Sequence, residues 1–178
     1  MLRLHYFFWP HGPSVPLHFN RLRQLFPEFE SVATIVKGSS DLLDFRSDIL
    51  YLIGHSTKKK GMVLADGNSL SASFLSDLIS QAHHYKPQLV FLNTCYGIES
   101  GMAKALKNAG VTTVIAANGP ILIKHMTLYA ERFFQCWADD KQAVSHAVKS
   151  INQEFKDKEI QFTSLGNGRM TFRSLSNF

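Results

Sequence analysis

Two short apolar runs stand out in a chain that otherwise mixes apolar and polar positions. They are Ile49-Leu50-Tyr51-Leu52-Ile53-Gly54 and Leu89-Val90-Phe91-Leu92. Unbroken apolar runs of this length, with β-branched residues among them, are typical of strands that are buried on both faces. The pattern therefore predicts two central strands, at 49–54 and 89–92.

Stretches with apolar residues three or four positions apart separate these runs and predict helices. From Leu70 onward, for example, the apolar positions have helical spacing: Leu70, Phe74, Leu75, Leu78, Ile79 and Ala82. The alternation of the two patterns predicts an α/β fold with a central, mostly parallel sheet. We expect further strands at 2–9, 32–36, 111–117, 160–163 and 170–172, further helices at 14–26, 101–108, 126–137 and 144–155, and one or two helical turns at 41–45. No linker is visible, so we expect a single domain over residues 1–178.

Composition excludes several classes of protein. Of the 178 residues, 45% are hydrophobic and 19% are charged, which is ordinary for a globular chain and excludes a disordered, collagen-like or disulfide-framed one. No apolar run approaches the roughly 20 residues that span a bilayer. The apolar N-terminus is short and lacks a small-residue cleavage site, so it predicts a strand rather than a signal peptide. We expect a cytoplasmic protein without a membrane partner, and export by a route without such a signal stays open.

Charge does not indicate a nucleic-acid partner. Lys and Arg exceed Asp and Glu by 19 to 14, a net charge of +5, but apart from the run Lys58-Lys59-Lys60 the basic residues are scattered. The chain has no stripe of interleaved basic and aromatic residues that would bind single strands. It also has no zinc-finger spacing and no helix-turn-helix pattern. We therefore expect no binding to nucleic acid.

His55 and Cys95 are the candidates for chemistry. Each follows a predicted central strand, and the carboxyl ends of parallel strands share the sheet edge where ligands bind. If the two strands are neighbours, they lie about 4.8 Å apart and the two side chains would converge. A cysteine thiolate is a nucleophile, a histidine can protonate a leaving amine, and the adjoining turns can supply N–H groups to an oxyanion. The alternatives are a buried packing cysteine and a surface histidine.

The order of several motifs adds to this hypothesis. They are Tyr51-Leu52-Ile53-Gly54-His55, then Leu64 to Ser71, then Leu89-Val90-Phe91-Leu92-Asn93-Thr94-Cys95, then Ala105 to Ala116, followed by helices up to Gln153. In this order the chain resembles CHAT domains of the caspase-like (clan CD) cysteine peptidases. The resemblance implies a three-layer caspase-like fold with helices on both faces of the sheet. It also implies a dyad of His55 and Cys95, and an oxyanion hole formed by the backbone N–H groups of Cys95 and Ser56. Glycine is usual in the family where this chain has Ser56.

Three further residues are candidates for a substrate pocket. Asn93 lies two residues before Cys95, where relatives that prefer basic P1 residues often have aspartate and caspases have glutamine. Asn118 lies after the next strand, where many CHAT domains have tryptophan. His11 follows the first strand, so its loop borders the site if that strand adjoins the strand at 49–54.

These residues indicate a cysteine endopeptidase that acts on a protein or peptide through an acyl-enzyme, with no metal or organic cofactor. A regulatory protein partner is also compatible with the family. One alternative is a thiol amidohydrolase or esterase of the nucleophile-elbow type, with His125 or His146 as the histidine. The other is an inactive caspase-like scaffold that binds a protein partner. Cys136, beside Trp137, is expected to pack in the core.

Overall fold

A six-stranded sheet forms the centre of the protein in a computed structural model. The structure describes residues 3–8, 14–37, 41, 47–64, 66–81, 86–139 and 142–175. The strand order is β2-β1-β3-β7-β8-β9; every neighbouring pair is parallel except β8 and β9. The strands are β1 (Arg3–Phe8), β2 (Glu30–Ile35), β3 (Ile49–Gly54), β7 (Leu89–Thr94), β8 (Thr113–Asn118) and β9 (Gln161–Gly166). The predicted mostly parallel α/β sheet is confirmed, and β1 does adjoin β3.

Helices cover both faces of this sheet, because the central strands are apolar on both faces. Along β3, Tyr51 and Ile53 join one buried cluster while Leu50 and Leu52 join the other. This alternation follows from the two-residue period of a strand. The first cluster packs under α1, α4, α5 and α6, and the second packs under α2 and α3. The helices are α1 (Ser14–Leu25), α2 (Ala72–Gln81), α3 (Met102–Asn108), α4 (Ile123–Asp139), α5 (Val144–Glu154) and α6 (Phe172–Leu175). The three-layer arrangement is as expected.

A small antiparallel sheet continues directly from the carboxyl end of β3. Its strands, in the order β4-β5-β6, are β4 (Ser56–Thr57), β5 (Gly61–Val63) and β6 (Ser69–Leu70). Met62 and Leu70 are opposite each other and are both buried. This small sheet therefore anchors the segment that carries His55 and Ser56 to the core.

Two predicted elements differ from the structure. Leu70 lies in β6 and not in the following helix, which begins at Ala72. The predicted strand at 170–172 is wrong, because Phe172 begins the single turn of α6. A capping box explains this turn: Ser174 N–H donates to Thr171 Oγ1 at 3.3 Å, and Thr171 N–H donates to Ser174 Oγ at 3.1 Å. The helical turns expected at 41–45 lie almost entirely outside the described residues.

Among the described residues, no helix is both long and apolar enough to cross a membrane. Nor do the described parts of the chain hold a group of three or more His, Cys, Asp or Glu side chains that could bind a metal ion.

Glycine at position 61 is required by the small sheet, and substitution tests this. Gly61 and Gly67 both have positive φ, +74° and +82°, but only at Gly61 would a Cβ collide with backbone, 2.1 Å from Leu70 O. We expect Gly67→Ala to cost about 1 kcal/mol from its left-handed backbone alone. We expect Gly61→Ala to cost at least about 2 kcal/mol, because β6 must also move. Urea unfolding of both variants measures the difference, and equal losses would contradict this account.

Candidate active site

The register between β3 and β7 brings His55 and Cys95 to the same level. Gly54 pairs with Thr94 in parallel register, and each candidate residue is the next one along its chain. Both residues are also open to solvent to some degree: His55 is exposed and Cys95 is half-buried. The two strands are adjacent, so the imidazole and the thiol lie at the same edge of the sheet.

A small cavity joins the two side chains. Its volume is about 30 Å³ and its lining consists of Ile53, Gly54, His55, Cys95, Ile121, Ile123 and Met126. The apolar members come from β3 and from the segment around the start of α4. The cavity holds a water-sized group and not a substrate side chain. We therefore expect a substrate side chain to enter this cavity only if the wall formed by residues 121–126 moves outward.

The sulfur of Cys95 lies against the backbone of Ile121. Ile121 N–H donates to Sγ at 3.3 Å, and the thiol donates to Ile121 O at 3.4 Å. Ile121 thus contributes both a donor to the sulfur and an apolar wall to the cavity. Sequence reasoning did not single it out, because nothing in its pattern separates it from ordinary core.

The turn after Cys95 carries local backbone strain. Tyr96 has φ +54°, in the left-handed region that non-glycine residues rarely occupy. Its N–H donates to Gly119 O at 2.8 Å. In a nucleophile elbow, the N–H of the residue after the nucleophile forms part of the oxyanion hole, and a helix follows at once. Here that N–H is already bonded and α3 begins only at Met102, so the geometry counts against the elbow alternative.

Ser56 links the histidine segment to the cysteine segment. Its side chain is buried, and its hydroxyl donates to Cys95 O. Val63 N–H donates to His55 O at 2.8 Å, and Ser56 pairs with Met62. In the alternating ladder of an antiparallel pair, this makes Ser56 and Met62 a non-hydrogen-bonded pair. The N–H of Ser56 therefore points away from β5, on the unpaired side of β4.

Comparison with solved structures shows a similar fold in a known protein. The solved structure of an inactive zymogen C11 protease from Parabacteroides distasonis matches with a TM-score of 0.58 at 13% sequence identity. The match covers 99% of this chain but only 63% of that chain. The chain therefore shares a caspase-like fold with this protease. No protein-family model matches the chain and neither does any curated protein, so the narrower resemblance to CHAT domains stays a prediction.

The remaining predicted residues lie in different places. Asn118 exchanges hydrogen bonds with Thr163 across β8 and β9, at 3.0 and 3.2 Å, and is not among the residues that line the cavity. His11 falls outside the described residues. His146 is exposed on α5, as expected, and His125 lies on α4. Neither of these two histidines lines the cavity. Cys136 is half-buried and packs against the core, as expected.

Asn93 belongs to a buried polar network that the sequence analysis did not find. It is fully buried, and its amide donates to Tyr51 Oη at 2.6 Å and to Met126 O at 3.0 Å. Tyr51 in turn contacts His18 Nε2 at 2.7 Å, and His18 Nδ1 lies 2.9 Å from Glu131 Oε1. The one available signal was a tyrosine inside an otherwise aliphatic strand. A buried tyrosine hydroxyl needs a partner.

Acid should weaken the outer end of this network. Burial alone would raise the pKa of Glu131, but the hydrogen bonds and positive charge of His18 and Arg21 outweigh it and hold that pKa below its ordinary value of 4.5. The stabilisation is therefore complete above the ordinary pKa and is lost as pH falls through the lowered, folded-state value.

We expect the free energy of unfolding to fall more steeply with acid in the wild type than in Glu131→Gln. The window begins near pH 4.5 and extends downward. Urea unfolding at a series of pH values measures the slope. Glu154→Gln is the control, because it removes the same charge from an exposed pair with Arg132, and such pairs contribute little. Identical slopes for the wild type and Glu131→Gln would contradict the pKa assignment.

Proposed function

We propose that the chain is a cysteine endopeptidase of the caspase-like type that acts on protein or peptide substrates. The observation that carries this proposal is the convergence of His55 and Cys95 at level ends of adjacent parallel strands, on the wall of one cavity. The caspase-like fold supports it independently. The proposed reaction needs no metal or organic cofactor.

The chemistry follows from the positions of the side chains. Cys95 gives its thiol proton to His55, Sγ forms a bond to the scissile carbonyl carbon, and the carbonyl oxygen becomes an oxyanion. The backbone N–H groups of Cys95 and Ser56 donate to that oxygen. His55 delivers a proton to the amine nitrogen as the C–N bond breaks. It then takes a proton from water, which attacks the thioester, releases the acid product and restores the thiol.

Ser56 would serve this reaction through its backbone, not its hydroxyl. The hydroxyl is bonded to Cys95 O, while the N–H points away from β5 and remains outside the ladder of the small sheet. A serine in place of the usual glycine therefore ties the two halves of the site together and still offers the N–H.

One specific observation supports the inactive-scaffold alternative. The cavity of about 30 Å³ is too small for a substrate side chain, and Ile121 covers the sulfur through two backbone contacts. A protein that never opens this wall would bind partners without turnover. A proteolytic enzyme must open it, so detection of turnover separates the two functions.

The first test is labelling and hydrolysis in matched cysteine variants. We expect the wild type and Cys136→Ala to cleave members of a random peptide pool and to be alkylated at Cys95 by an active-site thiol reagent. We expect Cys95→Ala to lose hydrolysis and that labelling, because no other thiol in the described residues lies in the cavity. Mass spectrometry of tryptic peptides locates the label. Hydrolysis that survives in Cys95→Ala would overturn the proposal.

A pair of histidine variants completes this test. His55→Ala should lower kcat by about 10²–10⁴-fold, the usual contribution of a positioned general acid–base group. His125→Ala should leave kcat within about threefold of the wild type, since His125 does not line the cavity. The opposite pattern would favour the nucleophile-elbow enzyme.

The proposed oxyanion role of Ser56 is tested by a different pair. Ser56→Ala removes the hydroxyl but keeps the N–H, so we expect kcat to change little and stability to fall by about 1 kcal/mol. Ser56→Pro removes the N–H on the unpaired side of a strand, where proline is tolerated. We expect Ser56→Pro to lower kcat by about 10²–10³-fold. Steady-state kinetics on folded protein measures both, and a fully active Ser56→Pro would exclude Ser56 from the oxyanion hole.

A further inference from the structure

Three consecutive lysines form the turn of the hairpin that follows the candidate histidine. They occupy positions 58–60, between β4 and β5, and all three are exposed. Residues 56–63 are called the lysine hairpin below. Its turn is held by a bond from Lys60 N–H to Thr57 Oγ1 at 3.0 Å, and its second strand is anchored by the buried Met62. The three charges therefore have a defined position in the fold.

One of these lysines contacts the segment that carries the reacting thiol. Lys58 Nζ lies 5.1 Å from the centroid of the Tyr96 ring, and Tyr96 directly follows Cys95. This distance is within the range of a cation–π interaction. Two residues earlier in the hairpin, the Ser56 hydroxyl donates to Cys95 O. The hairpin thus lies along the thiol segment, and it brings a cation to the residue next to the nucleophile.

The ammonium group of Lys58 is positioned without being neutralised. An aromatic ring attracts a cation through its quadrupole but carries no net charge. Within the described parts of the chain, the ion pairs involve arginines and His18 and none of the three lysines. The acidic residues nearest along the chain to the hairpin and to Tyr96 are Asp66 and Glu99. The Asp66 carboxylate already accepts bonds from Asn68, both at 2.9 Å.

The cavity itself supplies no opposing charge. In the part of the chain that the structure describes, its lining combines apolar residues and a glycine with His55 and Cys95, and no acidic side chain. Sites with one sign of charge concentrate ligands of the opposite sign and raise association rates by about 10–10³-fold. A lysine run in a turn is ordinarily just a solvated surface. The contact with Tyr96 is what distinguishes this run, because it places the charge beside the thiol.

We propose that the lysine hairpin selects the substrate of this site, and that it favours peptides with carboxylate side chains, aspartate or glutamate, in the residues that flank the scissile bond. Lys58 determines this specificity, and Lys59 and Lys60 add to the same positive field. The inference rests on the proposed peptidase function. Single-stranded nucleic acid is bound by grooves that combine several stacking aromatic residues with basic ones. A single hairpin against one tyrosine fits a short acidic peptide instead.

The first test measures the charge that a ligand meets as it approaches Cys95. Iodoacetate and iodoacetamide have nearly the same size and both alkylate a thiolate with loss of iodide, but only iodoacetate carries a carboxylate. The fraction of thiolate and the movement of the cavity wall affect both rates equally, so the ratio of the two rates reports the local charge. Mass spectrometry of tryptic peptides separates the rate at Cys95 from the rate at Cys136.

Variants that remove one lysine charge at different places make this test specific. At an ionic strength of about 0.01 M, Lys58→Gln should lower the iodoacetate-to-iodoacetamide ratio about threefold relative to the wild type. At about 1 M, where the Debye length is about 3 Å, the two proteins should agree within about 1.5-fold. Lys86→Gln is the control, because Lys86 precedes β7 and Cys95 follows it, so a strand about 20 Å long separates them. It should keep the ratio, and so should Lys58→Arg, which retains the charge.

The second test measures the selection of peptides directly. It uses two random peptide pools that differ only in having glutamate or glutamine at every third position. At low ionic strength we expect the wild type to cleave the glutamate pool about tenfold faster than the glutamine pool. A triple variant with Lys58→Gln, Lys59→Gln and Lys60→Gln should cleave both pools at rates within about twofold of each other. Both pools also compete with iodoacetamide for Cys95, which measures the same preference without turnover.

The outcomes separate this proposal from the proposed function. An unchanged reagent ratio in Lys58→Gln, or equal losses in Lys58→Gln and Lys86→Gln, overturns the selection by the lysine hairpin. Equal cleavage of the two pools by the wild type also overturns it. Protection of Cys95 by the glutamate pool alone, without cleavage of either pool, would contradict the peptidase function and leave the acidic selection standing. Stronger protection by a single-stranded DNA than by the glutamate pool would assign the lysines to nucleic acid and overturn the proposal.

Discussion

Everything proposed for this chain depends on the parallel pairing of β3 and β7. Gly54 and Thr94 are partners in that pairing, so the residues that follow them leave the sheet at one level. Alternate residues of each strand pack into two different buried clusters, so a shift of register by one residue would exchange the side chains that face each cluster and disrupt their packing. The burial of both strands, from Ile49 to Gly54 and from Leu89 to Thr94, thus determines where a histidine and a cysteine 40 positions apart in sequence come together.

The carboxyl edge of the sheet, where His55 and Cys95 lie, has buried polar side chains on one side and an apolar segment on the other. Below it, a buried polar network joins α1 and α4 to β3 and β7 through hydrogen bonds. Its members are Glu131, His18, Tyr51 and Asn93. Above it, Ile121 lies across the sulfur and leaves a cavity of only about 30 Å³. A site of this kind keeps its chemical groups oriented while closed, and it requires movement of the wall near the start of α4 before a peptide can bind. Such walls belong to the less stable parts of a protein, whereas central strands belong to the most stable.

The sequence predicted those features that depend on local pattern. Apolar runs identify β3 and β7, and the strand-end positions of His55 and Cys95 follow from them. Prediction failed where a distant partner or a side-chain cap determines the local structure. Leu70 pairs with Met62 in a strand, and Thr171 caps a helical turn. The buried polar network of Glu131, His18, Tyr51 and Asn93 was missed for the same reason, because residues in contact within it are up to 113 positions apart in sequence. No periodicity in one chain reveals such contacts.

Cross-linking with a short bifunctional alkylating reagent such as 1,3-dibromoacetone measures the convergence of the two side chains most directly. The reagent first alkylates the reactive thiol and then any imidazole within its three-carbon reach, and mass spectrometry of the digest identifies the bridged peptides. The account predicts a bridge between Cys95 and His55 that disappears in His55→Ala. A bridge from Cys95 to another histidine, or a single attachment at Cys95 with no bridge in the folded wild type, would contradict it.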